Sequence, residues 1–206
     1  MSTLTELISR RRSAALFDED AAPDAATLHA LLELAIQAPN HHLTFPWRFH
    51  VVAKDDRDRL GALWAAEAVD RGWVPETSRK FEQAKLGRAP LIIFVGVVSD
   101  PNDPIRFRED QAAVAATVAQ LLLLFEDAGF SALWRTGRMV ESEAIPAALS
   151  YQPGETTAAI LYVGRRRATH VPPPRRRPPV ERVVSWGLNP PPLTSPTAKE
   201  LAGSPG

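Results

Sequence analysis

The chain has 206 residues, 45% of them hydrophobic, and its 24 Lys and Arg are balanced by 24 Asp and Glu. That is enough for one domain with a sizeable core, and it leaves no bulk field to draw the molecule to nucleic acid or to an anionic membrane. Cysteine is absent, which removes disulfides, thiolate nucleophiles and Cys-ligated zinc or iron–sulfur centres.

Met1 to Ser9 lacks the basic start and long apolar run of a secretory signal, so the expected location is the cytoplasm. Thr3-Leu4-Thr5-Glu6 has the spacing of a capping box and predicts a first helix with Leu4, Leu7 and Ile8 on one face. It runs into Arg10-Arg11-Arg12-Ser13, where cations suit the negative end of the helix dipole; a solvated cap and an anion site are equally good readings. Leu28, Leu31, Leu32, Ala35 and Ile36 follow the spacing of an amphipathic helix, and Pro39 ends it. Asn40-His41-His42-Leu43-Thr44 reads as a short polar loop, after which Trp47, Phe49 and Val51 alternate as in a two-faced strand. A loop with fixed ends and two imidazoles suits a ligand; an ordinary connection with solvated histidines is the alternative.

Asp55 to Trp73 and Glu76 to Lys85 read as helices, and Leu91 to Val98 as a strand buried on both faces in the middle of the sheet. Asp100 to Pro104 reads as a turn-rich loop. Ala112 to Phe125 is apolar all round apart from Thr117 and Gln120, and too short for a membrane span. Such a helix must be covered on every side, and a second copy of the chain is a natural cover. Phe130 to Arg135 is expected as a strand ending in Trp134-Arg135-Thr136-Gly137, and Ala158 to Gly164 as the last strand. From Pro172 onward the chain holds 10 of its 19 prolines, which predicts an extended arm anchored by Val180, Val183, Val184 and Trp186. The expected division is a domain over 1–171 and an arm and tail over 172–206.

Three triplets, Arg10–Arg12, Arg165–Arg167 and Arg175–Arg177, hold 9 of the 24 cations. His41 and His42 are adjacent and lack the spacing of three or four residues that puts two imidazoles on one side of a metal, so no metal site is expected. Neither the dinucleotide fingerprint, nor the P-loop, nor G-x-S-x-G occurs. What remains is an anion-binding repertoire of guanidinium forks and short hydroxyls, suited to a phosphate and a polyol.

Arg11-Arg12-Ser13 after a first helix, Ala38-Pro39-Asn40-His41 leading to Phe45-Pro46-Trp47-Arg48-Phe49, Arg88-Ala89-Pro90 before an apolar strand, Gly129-Phe130 before Trp134-Arg135-Thr136-Gly137, and Leu161-Tyr162-Val163-Gly164 occur in this order. Together they resemble the FMN-dependent nitroreductase family, nearest its compact minimal branch, over roughly residues 4 to 186. The resemblance implies an α+β sandwich with a mostly antiparallel sheet flanked by helices, and a homodimer that exchanges a C-terminal arm and holds FMN at its interface. By similarity, Arg11, Arg12 and Ser13 hold the phosphate, ribityl and pyrimidine edge, and Arg166 closes on the phosphate. Trp134, Arg135 and Thr136 line the isoalloxazine, His41 contacts flavin from the other subunit, and the segment Phe125 to Phe130 borders the nicotinamide pocket. Phe45 stands where many members carry glutamine or methionine, and Asn40-His41-His42 replaces the serine and asparagine of larger members.

The implied activity is an FMN oxidoreductase that takes hydride from NAD(P)H and reduces nitroaromatics, quinones or another small electrophile in a ping-pong cycle. The chemistry resides on the flavin, so no catalytic acid or base is expected. The alternatives are a relative with other flavin chemistry, such as reductive dehalogenation or enone reduction, and a flavin-free polyanion binder.

Overall fold

The computed structural model describes residues 3–169 and Val184. The chain divides into a compact unit, Met1–Pro172, and a second unit, Pro173–Gly206. The anchors Val180, Val183 and Trp186 of the expected arm lie outside the described residues.

The first unit is an α+β sandwich. Its four described strands are β1 (Trp47–Ala53), β2 (Leu91–Val98), β3 (Ser131–Arg135) and β4 (Glu155–Gly164), in the order β1-β2-β4-β3, every neighbouring pair antiparallel. Six helices flank them: α1 (Leu4–Arg10), α2 (Ala25–Ala35), α3 (Asp55–Asp70), α4 (Arg79–Gln83), α5 (Pro104–Asp127) and α6 (Ala144–Ala148). Successive strand side chains point to opposite faces, so an unbroken apolar strand supplies two cores. In β2, Leu91, Ile93, Val95 and Val97 join Leu28 and Leu31 of α2 and Val118 and Leu121 of α5. Ile92 and Phe94 point the other way, to Leu60 and Trp64 of α3 and to Ile160 and Tyr162 of β4.

The capping box is present: Glu6 N–H donates to the Thr3 hydroxyl at 3.3 Å and Thr3 N–H to Glu6 Oε2 at 2.8 Å. Two local expectations need correction. The predicted helix over 76–85 is a 3-10 turn at Glu76–Ser78 followed by α4 at Arg79–Gln83. The segment expected as a turn-rich loop contains the start of α5, because Asp103 accepts from the N–H groups of Ile105 and Arg106 while Pro104 fills the first helical position. Among the described residues of one chain, helix α5 is covered on one side. Ala113, Val114, Thr117, Val118, Leu121 and Phe125 are buried, whereas Ala112, Ala115 and Ala119 form an exposed strip of small residues on the other side.

Helix α6 carries no apolar period long enough to be read from the sequence and owes its position to α3. Glu67 Oε1 accepts from Glu143 N–H at 2.8 Å, Oε2 accepts from the Ser142 hydroxyl, and Arg71 reaches Glu143 at 2.7 Å. Burial works against the Glu67 charge, but the N–H of Glu143, the hydroxyl of Ser142, the N–H of Ala144 and the Arg71 guanidinium outweigh it and hold the carboxyl below its ordinary value. No described helix is long and apolar enough to cross a membrane.

Candidate functional site

The stretch that follows the first arginine triplet is tied to the second triplet by backbone pairing. Phe17 and Arg166 form an antiparallel bridge. Asp18 N–H donates to Arg165 C=O at 2.9 Å, Arg165 N–H to Ala21 C=O at 2.8 Å, and Arg167 N–H to Leu16 C=O at 3.1 Å. Ser13 is only four residues from Phe17, so the end of α1 and the triplet after β4 share one corner. The motif glycine explains the corner. A Cβ on Gly164 would lie 2.7 Å from Cδ and Cγ of Pro90 and 3.3 Å from the Phe17 ring, so the chain passes there only without a side chain. Pro90 and Gly164 thus serve the turn that sends Arg165–Arg167 out to solvent.

Within the corner, Arg12 sends Nη1 to Ser9 C=O at 2.7 Å and to Arg11 C=O at 3.0 Å, capping its own helix, and Arg10 Nε lies 3.7 Å from Glu126 on α5. Arg11 and Arg12 are half-buried, Ser13 and Arg166 exposed. A cavity of about 700 Å³ is lined among others by Leu16, Phe17, Arg57, Arg88, Pro90 and Arg167, and by none of Arg11, Arg12, Ser13 and Arg166.

Trp134, Arg135 and Thr136 end the edge strand β3 and are all exposed. Trp134 pairs with Leu161 and Arg135 with Ile160, while Ser131 at the other end of β3 pairs with Gly164. From Leu161 to Arg166 is five residues of extended chain, about 16 Å at the strand rise. The two groups therefore mark the ends of one elongated strip along β3 and β4. Under the Trp134 end lies a cavity of about 220 Å³ whose lining includes Trp64, Trp73, Arg135, Thr136, Arg138 and Tyr162. Its base is polar and paired: Trp64 Nε1–H donates to Glu82 at 2.8 Å and Lys85 Nζ sits 2.6 Å from the same buried carboxylate. Burial pushes the Tyr162 phenol up, with the Arg135 and Arg88 charges pulling it partly back; the Arg135 guanidinium stands 5.9 Å from the ring centre.

His41 is elsewhere. It stands in a 3-10 turn, His41–Leu43, ahead of β1 on the opposite edge of the sheet from β3. The turn is held from below by groups that the sequence reading missed. Asp110 of α5, only 2% exposed, accepts from the Thr44 hydroxyl at 2.5 Å and from the Ser99 hydroxyl at 2.6 Å. Asn40 donates to Thr44 Oγ1 at 2.9 Å and accepts from Phe45 N–H at 2.8 Å. A sign was available: Asp110, Val114, Thr117 and Leu121 share one helical stripe, and a carboxyl on a buried stripe demands partners. The scaffold imposes backbone strain, since His42, Leu43 and Phe45 have φ of 59°, 50° and 49° without being glycine.

Helix α5 measures how far apart the two halves are. His41 Nε2 lies 3.9 Å from Glu109 near its start, and Arg10 Nε 3.7 Å from Glu126 near its end. Seventeen residues of helix separate those carboxylates, about 25 Å at 1.5 Å per residue. One chain therefore does not bring His41 to Arg11, Arg12 and Ser13. The segment 125–130 offers little on its first side, because Phe125 is fully buried in the core and Phe130 is half-buried.

An α+β sandwich with a cationic corner and an exposed Trp134 at the end of β3 defines the class. The chain belongs to the nitroreductase family, whose model matches residues 8–165, and it is an oxidoreductase. It is 31% identical over 166 residues, 79% of this chain and 84% of the relative, to "Putative NAD(P)H nitroreductase YfhC" of Bacillus subtilis (strain 168). It is 29% identical over 159 residues, 77% and 86% of the two chains, to "Putative NAD(P)H nitroreductase YdjA" of Escherichia coli (strain K12). Among solved structures, a nitroreductase-like family protein from Bacillus cereus superposes with a TM-score of 0.76 at 24% identity, over 92% of this chain and 98% of that one. The FMN-dependent nitroreductase NfnB from Mycobacterium smegmatis, in complex with NADPH, gives 0.70 at 18% identity, over 89% and 97%. At these identities the two structures establish the fold alone.

Proposed function

We propose that the protein binds FMN and uses NAD(P)H to reduce small electrophiles, nitroaromatics or quinones among them, in a ping-pong cycle. The observation that carries this reading is the pairing of residues 16–21 with 165–167, which gathers the Arg11-Arg12-Ser13 and Arg166 donors at one end of a strip that finishes in Trp134-Arg135-Thr136. The donor set fits the cofactor: guanidinium forks and a hydroxyl suit a phosphate, and an aromatic with a cation and a hydroxyl suits a flat ring with polar edges. Bound FMN would supply hydride transfer at its ring, and the chain supplies grip and orientation. Arg11, Arg12 and Arg166 would neutralise the phosphate, Ser13 would offer a hydroxyl to the polyol or pyrimidine edge, and Trp134, Arg135 and Thr136 would line the ring.

His41 belongs to this site only through a second copy. The exposed Ala112, Ala115 and Ala119 lie between the His41 end and the Arg10 end of α5. Two α5 helices crossing antiparallel there would set the start of each against the end of the other, so that His41 of one chain reaches the cationic corner of its partner. Small residues let two helix backbones approach closely, which suits such a crossing.

The purified protein should be yellow and release FMN on denaturation. NAD(P)H oxidation should require an acceptor, and double-reciprocal plots at several acceptor concentrations should be parallel. A colourless protein that retains polyanions would overturn the reading in favour of a simple anion binder; intersecting plots would remove the ping-pong order.

A further inference from the structure

We propose that His41, His42 and Glu109 form a binding site for a divalent transition-metal ion of the zinc class. Adjacent residues normally point their side chains apart, and on spacing alone this pair is a poor metal site. The structure removes that objection. His42 sits in the left-handed region at φ 59° and ψ 10°, which folds the two imidazoles onto one another with ring centres 3.9 Å apart at 54°. Glu109 reaches the same place from α5, with Oε1 3.9 Å from His41 Nε2.

One ligand atom from each of the three residues lies within 4.8 Å of the others. Bonds of about 2.0–2.2 Å in a tetrahedral site put ligand atoms about 3.4 Å apart, so the widest pair must close by up to about 1.4 Å through side-chain rotation, with His41 and His42 exposed and Glu109 half-buried. Two neutral imidazoles and one carboxylate favour zinc, nickel, cobalt or copper over calcium and magnesium, which prefer oxygen alone. In the single chain His41 and His42 are exposed, so the remaining positions would take water.

The base of the site is fixed before any ion arrives. Glu109 and Asp110 are neighbours on one helix; Asp110 clamps Thr44 and Ser99 while Glu109 points out beside the imidazoles. Holding the ligand-bearing turn in place lowers the ordering cost of binding. A second pair, His29 and Glu33 on α2, stands 3.5 Å apart but offers two ligands on one exposed face, and it serves as the internal comparison. One consequence rests on the function proposed above: an imidazole committed to an ion is unavailable to a partner's flavin, so the ion should inhibit turnover.

Calorimetric titration of the full-length, FMN-loaded protein with Zn²⁺ tests the site without reference to activity. One ion per chain is expected. His42→Ala and Glu109→Gln should each weaken binding by at least roughly tenfold, since even an outer-sphere loss costs that much, and His29→Ala should leave it unchanged. Both residues are at the surface, and a thermal melt of each variant confirms its fold. Wild-type affinity equal to that of His42→Ala, or binding lost in His29→Ala, would overturn the proposal. Zn²⁺ should also slow wild-type turnover and spare His42→Ala. Tight binding with no inhibition would keep the site and remove His41 from the flavin, so the two ideas fail separately.

Discussion

Arg12→Ala separates two jobs that one guanidinium is asked to do. Both of its hydrogen bonds leave from Nη1, to Ser9 C=O at 2.7 Å and Arg11 C=O at 3.0 Å, so the other edge of the fork is not engaged in them. Losing a cation from the last turn of a helix costs about 0.3–1 kcal/mol. In a domain of this size that lowers the melting temperature of the FMN-free protein by no more than about 4 °C. Losing a hydrogen bond to a charged phosphate costs about 1.5–3 kcal/mol, which weakens FMN by roughly 10- to 150-fold. Quenching of FMN fluorescence on titration reads the second quantity, and a thermal melt without FMN the first. Arg12→Lys keeps the charge and loses the fork, and should fall between wild type and Arg12→Ala in affinity. An FMN affinity in Arg12→Ala within about threefold of wild type, accompanied by the small loss in melting temperature, would show that Arg12 is a helix cap and nothing more.

Gly164→Ala should destabilise the fold by about 1–3 kcal/mol in urea unfolding, because the new methyl meets Pro90 at 2.7 Å; an unchanged midpoint would mean that the corner is soft. Ala119→Glu on the exposed strip of α5 should leave the single chain folded but halve the sedimenting mass from a wild-type dimer of 22.6 kDa chains, and FMN should be lost with it. A wild-type monomer that keeps FMN would sink the crossing of two α5 helices. Glu67 has a lowered folded pKa, so its contribution is complete above the ordinary carboxyl value of 4.5 and disappears as pH falls through the lowered one. Glu67→Gln should therefore lose stability at neutral pH and show a flatter acid limb in melting temperature against pH, and parallel limbs for the two proteins would contradict the assignment.

The parts of the fold that could be read from the chain are those whose signal is local. Thr3 and Glu6 announce a helix start with their own side chains, and β2 announces burial on both faces by having no polar residue from Leu91 to Val98. The misreadings have equally local causes. Asp103-Pro104 looks like a turn in isolation, and only the 24-residue helix behind it shows that the pair is an N-cap and a first helical residue. Helix α6 has five residues and depends on Glu67, some 76 positions away, for its start. The stripe that holds Asp110 signals that it needs partners but not which ones, because Thr44 and Ser99 come from two other connections.

The same distinction runs through the site and explains why its motifs are scattered. Arg11-Arg12-Ser13 and Arg166 were legible as anion-binding types, but their meeting depends on a short antiparallel pairing and on the missing Cβ of Gly164, neither of which has a period. His41 was legible as a polar loop residue, yet no reading along one chain could place it, since α5 holds it about 25 Å from the arginines at the helical rise. In the dimer proposed above, a helix that holds the His41 and Arg10 ends apart, with exposed alanines between them, would bring the two ends together by crossing a copy of itself. On that proposal a larger side chain at Ala115 or Ala119 should weaken FMN binding without either residue touching the cofactor.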